Sequence, residues 1–474
     1  MQEQYSPANA GAALEDFLET YPSFETTHCL DDLRASDYSR LDATGHVYLD
    51  YTGAGMYADS QLRHHVDLLA GHLFGNPHSS NPTSMAMTTL VERARRAVLD
   101  FFNASPEEYV TIFTPNASGA LKLVGEAFPF EPGDRYLLTF DNHNSVNGIR
   151  EFARQRGAEI TYVPVVLPQM RVDESDLSGY FDLARPSGHN LFAYPAQSNF
   201  SGVQHPLEWI ATAQARGWTV LLDAAAYAPT NRLDLGRWHP DFVPLSFYKM
   251  FGYPTGAGCL LARRDALAQL RRPWFAGGTI TVASVQGDRY YLADSEAAFE
   301  DGTLNFLSLP AVEIGLEHLA MIGMETVHER VRCLTGWLLA NLLALRHLNG
   351  IPLVRLYGPP NAIARGGTLT CNFYDRRGHA IDHRVIEEQA NHANISLRSG
   401  CFCNPGAGEI ALGLSRIELV ACFKEPAKHL TIDDFRLCID GKSSGAVRIS
   451  IGLVSNFSDV YRFLHFAEGL LEEL

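Results

Sequence analysis

Between Tyr109 and Leu261 the sequence repeats one rhythm, and no other feature restricts the fold so strongly. Short runs rich in β-branched and aromatic residues, Tyr109 to Thr114, Tyr136 to Phe140, Ile160 to Val166, Leu191 to Pro195 and Thr219 to Asp223, alternate with helical stretches such as Ala117 to Phe128 and Pro206 to Ala215. Strands separated by helices can pair in parallel, and a parallel sheet needs helices on both faces. The expected class is therefore α/β. An amphipathic helix from Ser84 to Phe102, opened by Pro82 and Thr83, precedes this array. After Gly302 the rhythm changes to long helices, Leu309 to Ile322 and Glu325 to Leu345. Strands at Pro352 to Arg355, Leu369 to Phe373 and Ala446 to Ile451 and helices at Asp382 to Ala393 and Ser458 to Leu471 complete an α+β part. Arg398 to Gly408, with two cysteines, Pro405 and three glycines, reads as a loop.

The 38 basic and 54 acidic residues leave a formal charge of −16, which repels phosphate backbones and anionic lipid. Neither nucleic acid nor a membrane surface is an expected partner. With 46% hydrophobic and 19% charged residues over 474 positions, the chain has the composition of a large folded enzyme. Its start lacks the basic and apolar pattern of a signal peptide, and no apolar run approaches a membrane span, so the expected location is cytoplasmic. Eight cysteines, at 29, 259, 333, 371, 401, 403, 422 and 438, are sparse and irregular, which points to thiol chemistry rather than a disulfide framework.

Several strand ends carry reactive groups. Asp223 closes an apolar strand, either as a ligand-facing carboxylate at the carboxyl edge of the sheet or as the cap of the next turn. Lys249 sits among Phe247, Tyr248, Met250 and Phe251, either desolvated into a better nucleophile or snorkelling to the surface. An aspartate followed 26 residues later by a lysine, after a strand–helix–strand array, is the arrangement required for pyridoxal phosphate, with the lysine as Schiff base and the aspartate on the pyridinium nitrogen. Thr114-Pro-Asn116-Ala117-Ser118 opens a helix whose amino end suits a phosphate, or is merely capped. His143 and Asn199 also follow strands, where an imidazole can stack on a ring and an amide can bond its oxygen, though both are common structural residues. Cys401 and Cys403 lie in a Gly/Pro loop beside Arg398, a setting for a mobile thiolate, for a pair of buried small residues, or, with too few further ligands, for a metal. No metal site is expected. Arg448 in an apolar strand either pairs with a buried charge or grips a carboxylate.

Taken with those residues, the chain resembles the class V aminotransferase group of fold-type I pyridoxal-phosphate enzymes. Within that group it is most similar to the amino-terminal, cysteine-desulfurase-like domain of molybdenum cofactor sulfurases. The matching stretches are Tyr48 to Gly55, Gly75 to Ser79, Asp223 to Tyr227, Ser246 to Gly256, Phe299 to Thr303, Gly400 to Gly406 and Gly441 to Ser450. The resemblance implies a large, mainly parallel pyridoxal-phosphate domain at residues 41–323. It also implies a small α+β domain at 324–474 bearing the Cys403 loop, and an arm at 1–40 that joins the small domain.

Carried over, the resemblance implies Lys249 as the Schiff-base lysine, Asp223 on the ring nitrogen and His143 stacked on the ring. Asn116, Ala117, Ser118 and Ser246 would hold the phosphate with Tyr248 close by. Gly278 and Thr279, in the loop Phe275 to Thr279, would reach the phosphate of a second subunit, so a homodimer is expected. Asn199, Arg398 and Arg448 would bind substrate. Cys403 falls at the sulfur-accepting cysteine, on a loop able to swing toward an acceptor, and Cys401 is an extra thiol. Tyr248 replaces a histidine and Ala226 a glutamine of ordinary cysteine desulfurases, which leaves the general acid open. The MOSC domain of the sulfurases has no counterpart in this sequence. The implied activity is transfer of sulfur from L-cysteine through a Cys403 persulfide to an acceptor protein or cofactor, such as the molybdenum cofactor in trans. The alternatives are a pyridoxal-phosphate C–S lyase that needs no protein thiol, and a silent scaffold that kept the fold.

Overall fold

The computed structural model describes residues 4–77, 79–422 and 445–473. His78, Cys438 and the Gly441 to Ser444 part of the last matching stretch lie outside the described residues.

Seven strands form the main sheet. From edge to edge they are Tyr109–Thr114, Gly258–Arg263, Phe242–Ser246, Trp218–Asp223, Asn190–Pro195, Arg135–Thr139 and Glu159–Val163. The five strands expected from the sequence are present. Phe242–Ser246 and Gly258–Arg263 add to them, and Gly258–Arg263 runs antiparallel to both neighbours. Side chains alternate between two faces, as strand geometry requires. Val110, Ile112, Leu138, Leu191 and Leu221 pack with the Ala117–Ala127 helix on one face. Leu137, Phe192, Val220 and Leu222 enter the main core on the other. Because both faces are covered, these strands are apolar along their length rather than alternating, and Asn190–Pro195 is wholly buried.

A second sheet of four antiparallel strands, Val354–Tyr357, Thr368–Phe373, Ala446–Ser450 and Arg398–Gly400, lies in the carboxyl-terminal part. The expected loop from Arg398 to Gly408 is thus divided. Arg398–Gly400 pairs with the Arg448 strand, and Pro405–Leu412 is a helix. Pro405 occupies its first turn and the Asn404 side chain caps it, a signature hidden inside a Gly-rich string. The amino-terminal residues pack on the carboxyl-terminal part through a buried ion pair, Arg34 to Asp459 at 2.5 Å, and a half-buried one, Arg330 to Asp31 at 2.6 Å. Cys422 is disulfide-bonded, an exception to the thiol-only expectation. A hairpin of Ile280–Ser284 and Arg289–Leu292 projects from the surface with Val282, Val285 and Tyr291 exposed. Among the described residues no helix is long and apolar enough to cross a membrane.

Candidate active site

Parallel strands share one polarity, so the segments leaving their carboxyl ends gather along one edge of the sheet. There Asn116, Ala117 and Ser118 meet His143, Asn199, Asp223, Ser246, Tyr248 and Lys249 around a cavity of about 170 Å³. Leu121, Pro195, Gln197, Ala225 and Ala226 complete its wall. A larger cavity of about 740 Å³, near the amino-terminal helix and lined by Leu14, Leu18, Phe24, Phe457 and Tyr461, holds none of these groups.

At one end of the smaller cavity the eleven-residue helix Ala117–Ala127 presents its amino terminus. Ala117 donates its backbone N–H to Ser246 Oγ at 2.9 Å, so that hydroxyl keeps its own proton to donate. Ser118 Oγ is 2.6 Å from Ser145 Oγ. Two hydroxyls at a helix amino end form a setting for a phosphate. His143 Nδ1 accepts the Ser145 N–H at 3.1 Å, so a neutral imidazole carries its proton on Nε2. Burial lowers the His143 pKa, opposed by Asp223 and reinforced by Lys249 and Arg448. Burial likewise lowers the Lys249 pKa, with Asp223 opposing and Arg448 adding to the effect. The reading of Lys249 as a snorkelling surface residue is excluded by its place in the cavity wall. Asp223 does cap the following turn, accepting the Ala225 N–H at 3.0 Å through Oδ1, and it also lines the cavity. A helix end with two hydroxyls, an aspartate and a desolvated lysine around one cavity make a donor set that fits pyridoxal phosphate.

Cys403 adjoins this site. Its carbonyl accepts the Asn144 N–H at 2.7 Å, beside His143. The Cys403 thiol contributes to the shifts of the Lys249, Tyr248 and Arg448 pKa values, which places it in their neighbourhood. Both cysteines are exposed. In this structure the loop is docked. Asn199 Nδ2 donates to Phe402 O at 2.8 Å, and Asn404 Nδ2 donates to Asn199 Oδ1 at 2.9 Å and to Asp141 O at 2.7 Å. Gly406 is required here, because a Cβ would stand 2.0 Å from Phe140 O. Phe402 and Cys403 both adopt positive φ, +56° and +53°, a left-handed conformation that non-glycine residues take only when surroundings impose it. Each polar atom of the Asn199 side chain therefore already serves the thiol loop, with one bonding position left for a ligand.

Arg398 and Arg448 are neighbours across the antiparallel ladder and share Asp50, which sequence reasoning did not single out. Arg398 donates to Asp50 through Nε at 3.0 Å and Nη2 at 2.6 Å, and Arg448 Nη2 donates to Asp50 at 3.1 Å. Arg448 Nη1 donates to Asn199 O at 3.1 Å. Desolvation lowers the Arg448 pKa to about 10 despite Asp50. Asp50 stood inside the matching stretch Tyr48 to Gly55, where an acidic residue before Thr-Gly-Ala-Gly was the available signal. Asn404 likewise falls within the matching stretch Gly400 to Gly406. Gly278 and Thr279 are not brought to the cavity; Thr279 is buried and bonds Ala276. Among the described residues no group of three or more His, Cys, Asp or Glu is placed to hold a metal ion.

Comparison with known proteins gives consistent results. Residues 47–463 match the family model for aminotransferase class V. The chain is 37% identical to a molybdenum cofactor sulfurase of Solanum lycopersicum across 97% of its own length and 60% of that protein. It is 38% identical to the Homo sapiens sulfurase across 92% of its length and 51% of that protein. The chain thus spans about half to three fifths of these relatives. Among solved structures it resembles a cysteine desulfurase from Thermococcus onnurineus NA1, with a TM-score of 0.76, 23% identity and coverage of 94% of this chain and 98% of that one. It also resembles the cystine C-S lyase C-DES, with a TM-score of 0.68, 19% identity and coverage of 89% and 97%. These last two likenesses establish the fold. The chain belongs to the class V aminotransferase family.

Proposed function

We propose that the protein is a pyridoxal-phosphate-dependent cysteine desulfurase that moves sulfur from L-cysteine onto Cys403 and then to an acceptor. The observation that carries this reading is the seating of Cys403: its carbonyl accepts the Asn144 N–H beside His143, and its loop is bonded to Asn199, and both His143 and Asn199 line the cavity. A lyase working by elimination has no use for a thiol held there.

Ser118, Ser246 and the amino end of the Ala117–Ala127 helix would hold the cofactor's phosphate, with Asn116 and Ala117 in the same turn. Asp223 would keep a proton on the ring nitrogen, and His143 would lie against the ring. Bound there, the cofactor supplies an electron sink for the pair left when Cα loses its proton. Lys249, whose neutral amine is favoured by burial, would hold the cofactor's aldehyde and would move a proton at the substrate Cα through Nζ. Arg448 and Arg398 bind the substrate carboxylate, and the free bonding positions of Asn199 serve substrate or cofactor. Two proton donors face the cavity, the phenol of Tyr248, kept protonated by burial, and His143 Nε2. Overall, cysteine and the Cys403 thiol give alanine and a Cys403 persulfide. The Cβ–S bond breaks, an S–S bond forms, and the thiol proton ends on Cβ of alanine.

The acceptor proposed is the molybdenum cofactor carried by another polypeptide, as the names of the sulfurase relatives suggest. Gly278 and Thr279 are proposed to complete the site of a second copy, an idea supported by their distance from this chain's own cavity and by the projecting apolar hairpin that follows them. The division into an arm at 1–40, a large domain at 41–323 and a small domain at 324–474 is part of the same proposal, as is a cytoplasmic location. Incubation with L-cysteine tests the activity: alanine with a Cys403 persulfide is expected, and pyruvate with free sulfide would replace this reading by elimination. Sedimentation of an active monomer would refute the shared site.

A further inference from the structure

The segment Asp50 to Gly55 connects the two halves of the site. Its carboxylate lies between Arg398 and Arg448, while Gly55 donates its N–H to Tyr248 O at 2.9 Å, against the helix that carries Lys249. The segment is shaped around the ion pair. A Cβ on Gly53 would stand 2.5 Å from Asp50 Oδ2 and 2.7 Å from Arg398 Nη2, so any larger residue there would displace the ion pair. Asp50 also accepts the backbone N–H groups of Gly53 and Ala54 on its carbonyl, at 2.9 and 3.1 Å, which fixes where its side chain begins.

The donors of the two arginines are unequally committed. Arg448 is 3% exposed; its Nη groups serve Asp50 and Asn199, and its Nε is enclosed without a partner. Arg398 is half exposed and spends Nε and one Nη on Asp50, leaving Nη1 without a partner among the described residues. Two guanidinium charges and one carboxylate leave a net charge of +1 in a partly desolvated corner beside the cavity. A second carboxylate would neutralise it.

We propose that Asp50 is a specificity-determining residue, an internal carboxylate that occupies the arginine pair and tunes it to accept a single substrate carboxylate weakly enough to release the product. The inference rests on the reading of Arg398 and Arg448 as the substrate-carboxylate site. Asp50 does not take part in bond making; it sets the charge that the arginines offer. With it, a monocarboxylate amino acid meets a net +1 and exchanges readily. Without it, the same anion meets +2 and is held.

The probe is propionate, a carboxylate with no amine to react with the cofactor, and propionamide is its neutral control. In the cofactor-loaded protein, Asp50→Asn keeps the shape of the side chain and removes its charge. Coulomb attraction at a few ångströms in an effective dielectric of about 20 makes a tenfold or greater tightening of propionate binding reasonable, measured by calorimetry. Propionamide binding should not change. KM for L-cysteine and kcat should both fall, because product is retained. The double variant Asp50→Asn with Arg398→Gln restores the net charge of +1 and should return propionate affinity to near the starting value, which a purely structural role for Asp50 would not do.

Circular dichroism and thermal melting verify that each variant is folded, and the double variant supplies the decisive comparison if Asp50→Asn alone is unstable. If Arg448→Gln leaves propionate binding unchanged, the arginines are not the carboxylate site and the underlying reading fails. If Arg448→Gln weakens binding while Asp50→Asn also weakens it, or while the double variant stays far from the starting value, the arginines bind substrate but Asp50 only props them, and this inference alone is overturned.

Discussion

Replacing Asn404 by alanine tests whether the thiol loop works docked. Asn404 is fully buried and makes three side-chain bonds, to Asp141 O at 2.7 Å, to Asn199 Oδ1 at 2.9 Å and from Ala407 N at 3.2 Å. Two of these bonds leave the loop, and at about 1 kcal/mol net for each neutral buried hydrogen bond the substitution removes about 2 kcal/mol from the docked state. At 1.4 kcal/mol per factor of ten, that is a roughly thirtyfold shift toward the undocked loop. The opposing pull is present in the native backbone, where positive φ at Phe402 and Cys403 costs on the order of 1 kcal/mol or more at each residue. Hydrogen exchange in residues 401–408 should accelerate and alkylation of Cys403 should speed up. Alanine formation from cysteine should fall at least tenfold while the cofactor is retained, because Asn404 does not line the cofactor cavity. Unchanged exchange in 401–408, or full turnover with a freely moving loop, would refute the argument that docking positions the thiol.

Three further outcomes are expected. Lys249→Ala should abolish the pyridoxal phosphate that borohydride fixes covalently to the protein; cofactor still fixed to the polypeptide after reduction would place the Schiff base elsewhere. Cys403→Ser should stop alanine formation without loss of cofactor and Cys401→Ser should do much less, as measured by alanine release and mass spectrometry of the persulfide. The reverse ranking would assign the nucleophile to the other sulfur. Burial depresses His143 below its ordinary pKa of 6.5, so the folded chain binds that proton only at lower pH than the unfolded chain. Its contribution to stability is therefore present above 6.5 and lost as pH falls through the depressed value. Urea unfolding at pH 7.5 and at lower pH should show that His143→Asn flattens this part of the slope, and an unchanged slope would contradict it.

Much of this architecture was legible because its causes are local. An apolar run bounded by turn residues makes a strand whatever lies far away, and Asn116 before Ala117 or Pro82 at a helix start acts within one turn. Parallel strands then bring their carboxyl ends to one edge, so Ser118, His143, Asn199, Asp223 and Lys249 could be read as a group before their distances were known. The antiparallel strand Gly258–Arg263 and the split of the Arg398 to Gly408 segment were not legible, because each depends on which partner strand is available. Sequence analysis left Arg448 between a buried ion pair and a carboxylate grip and Asn199 between a ligand and a structural role, and the structure shows both committed to protein partners. Asp50 meets Arg448 across 398 residues and Asn404 meets Asn199 across 205. A charged or amide side chain looks the same in sequence whether it faces water or another buried group. Burial and pairing arise only when the chain closes, and they determine that Asp50 occupies the arginines and that the cysteine loop is held in place.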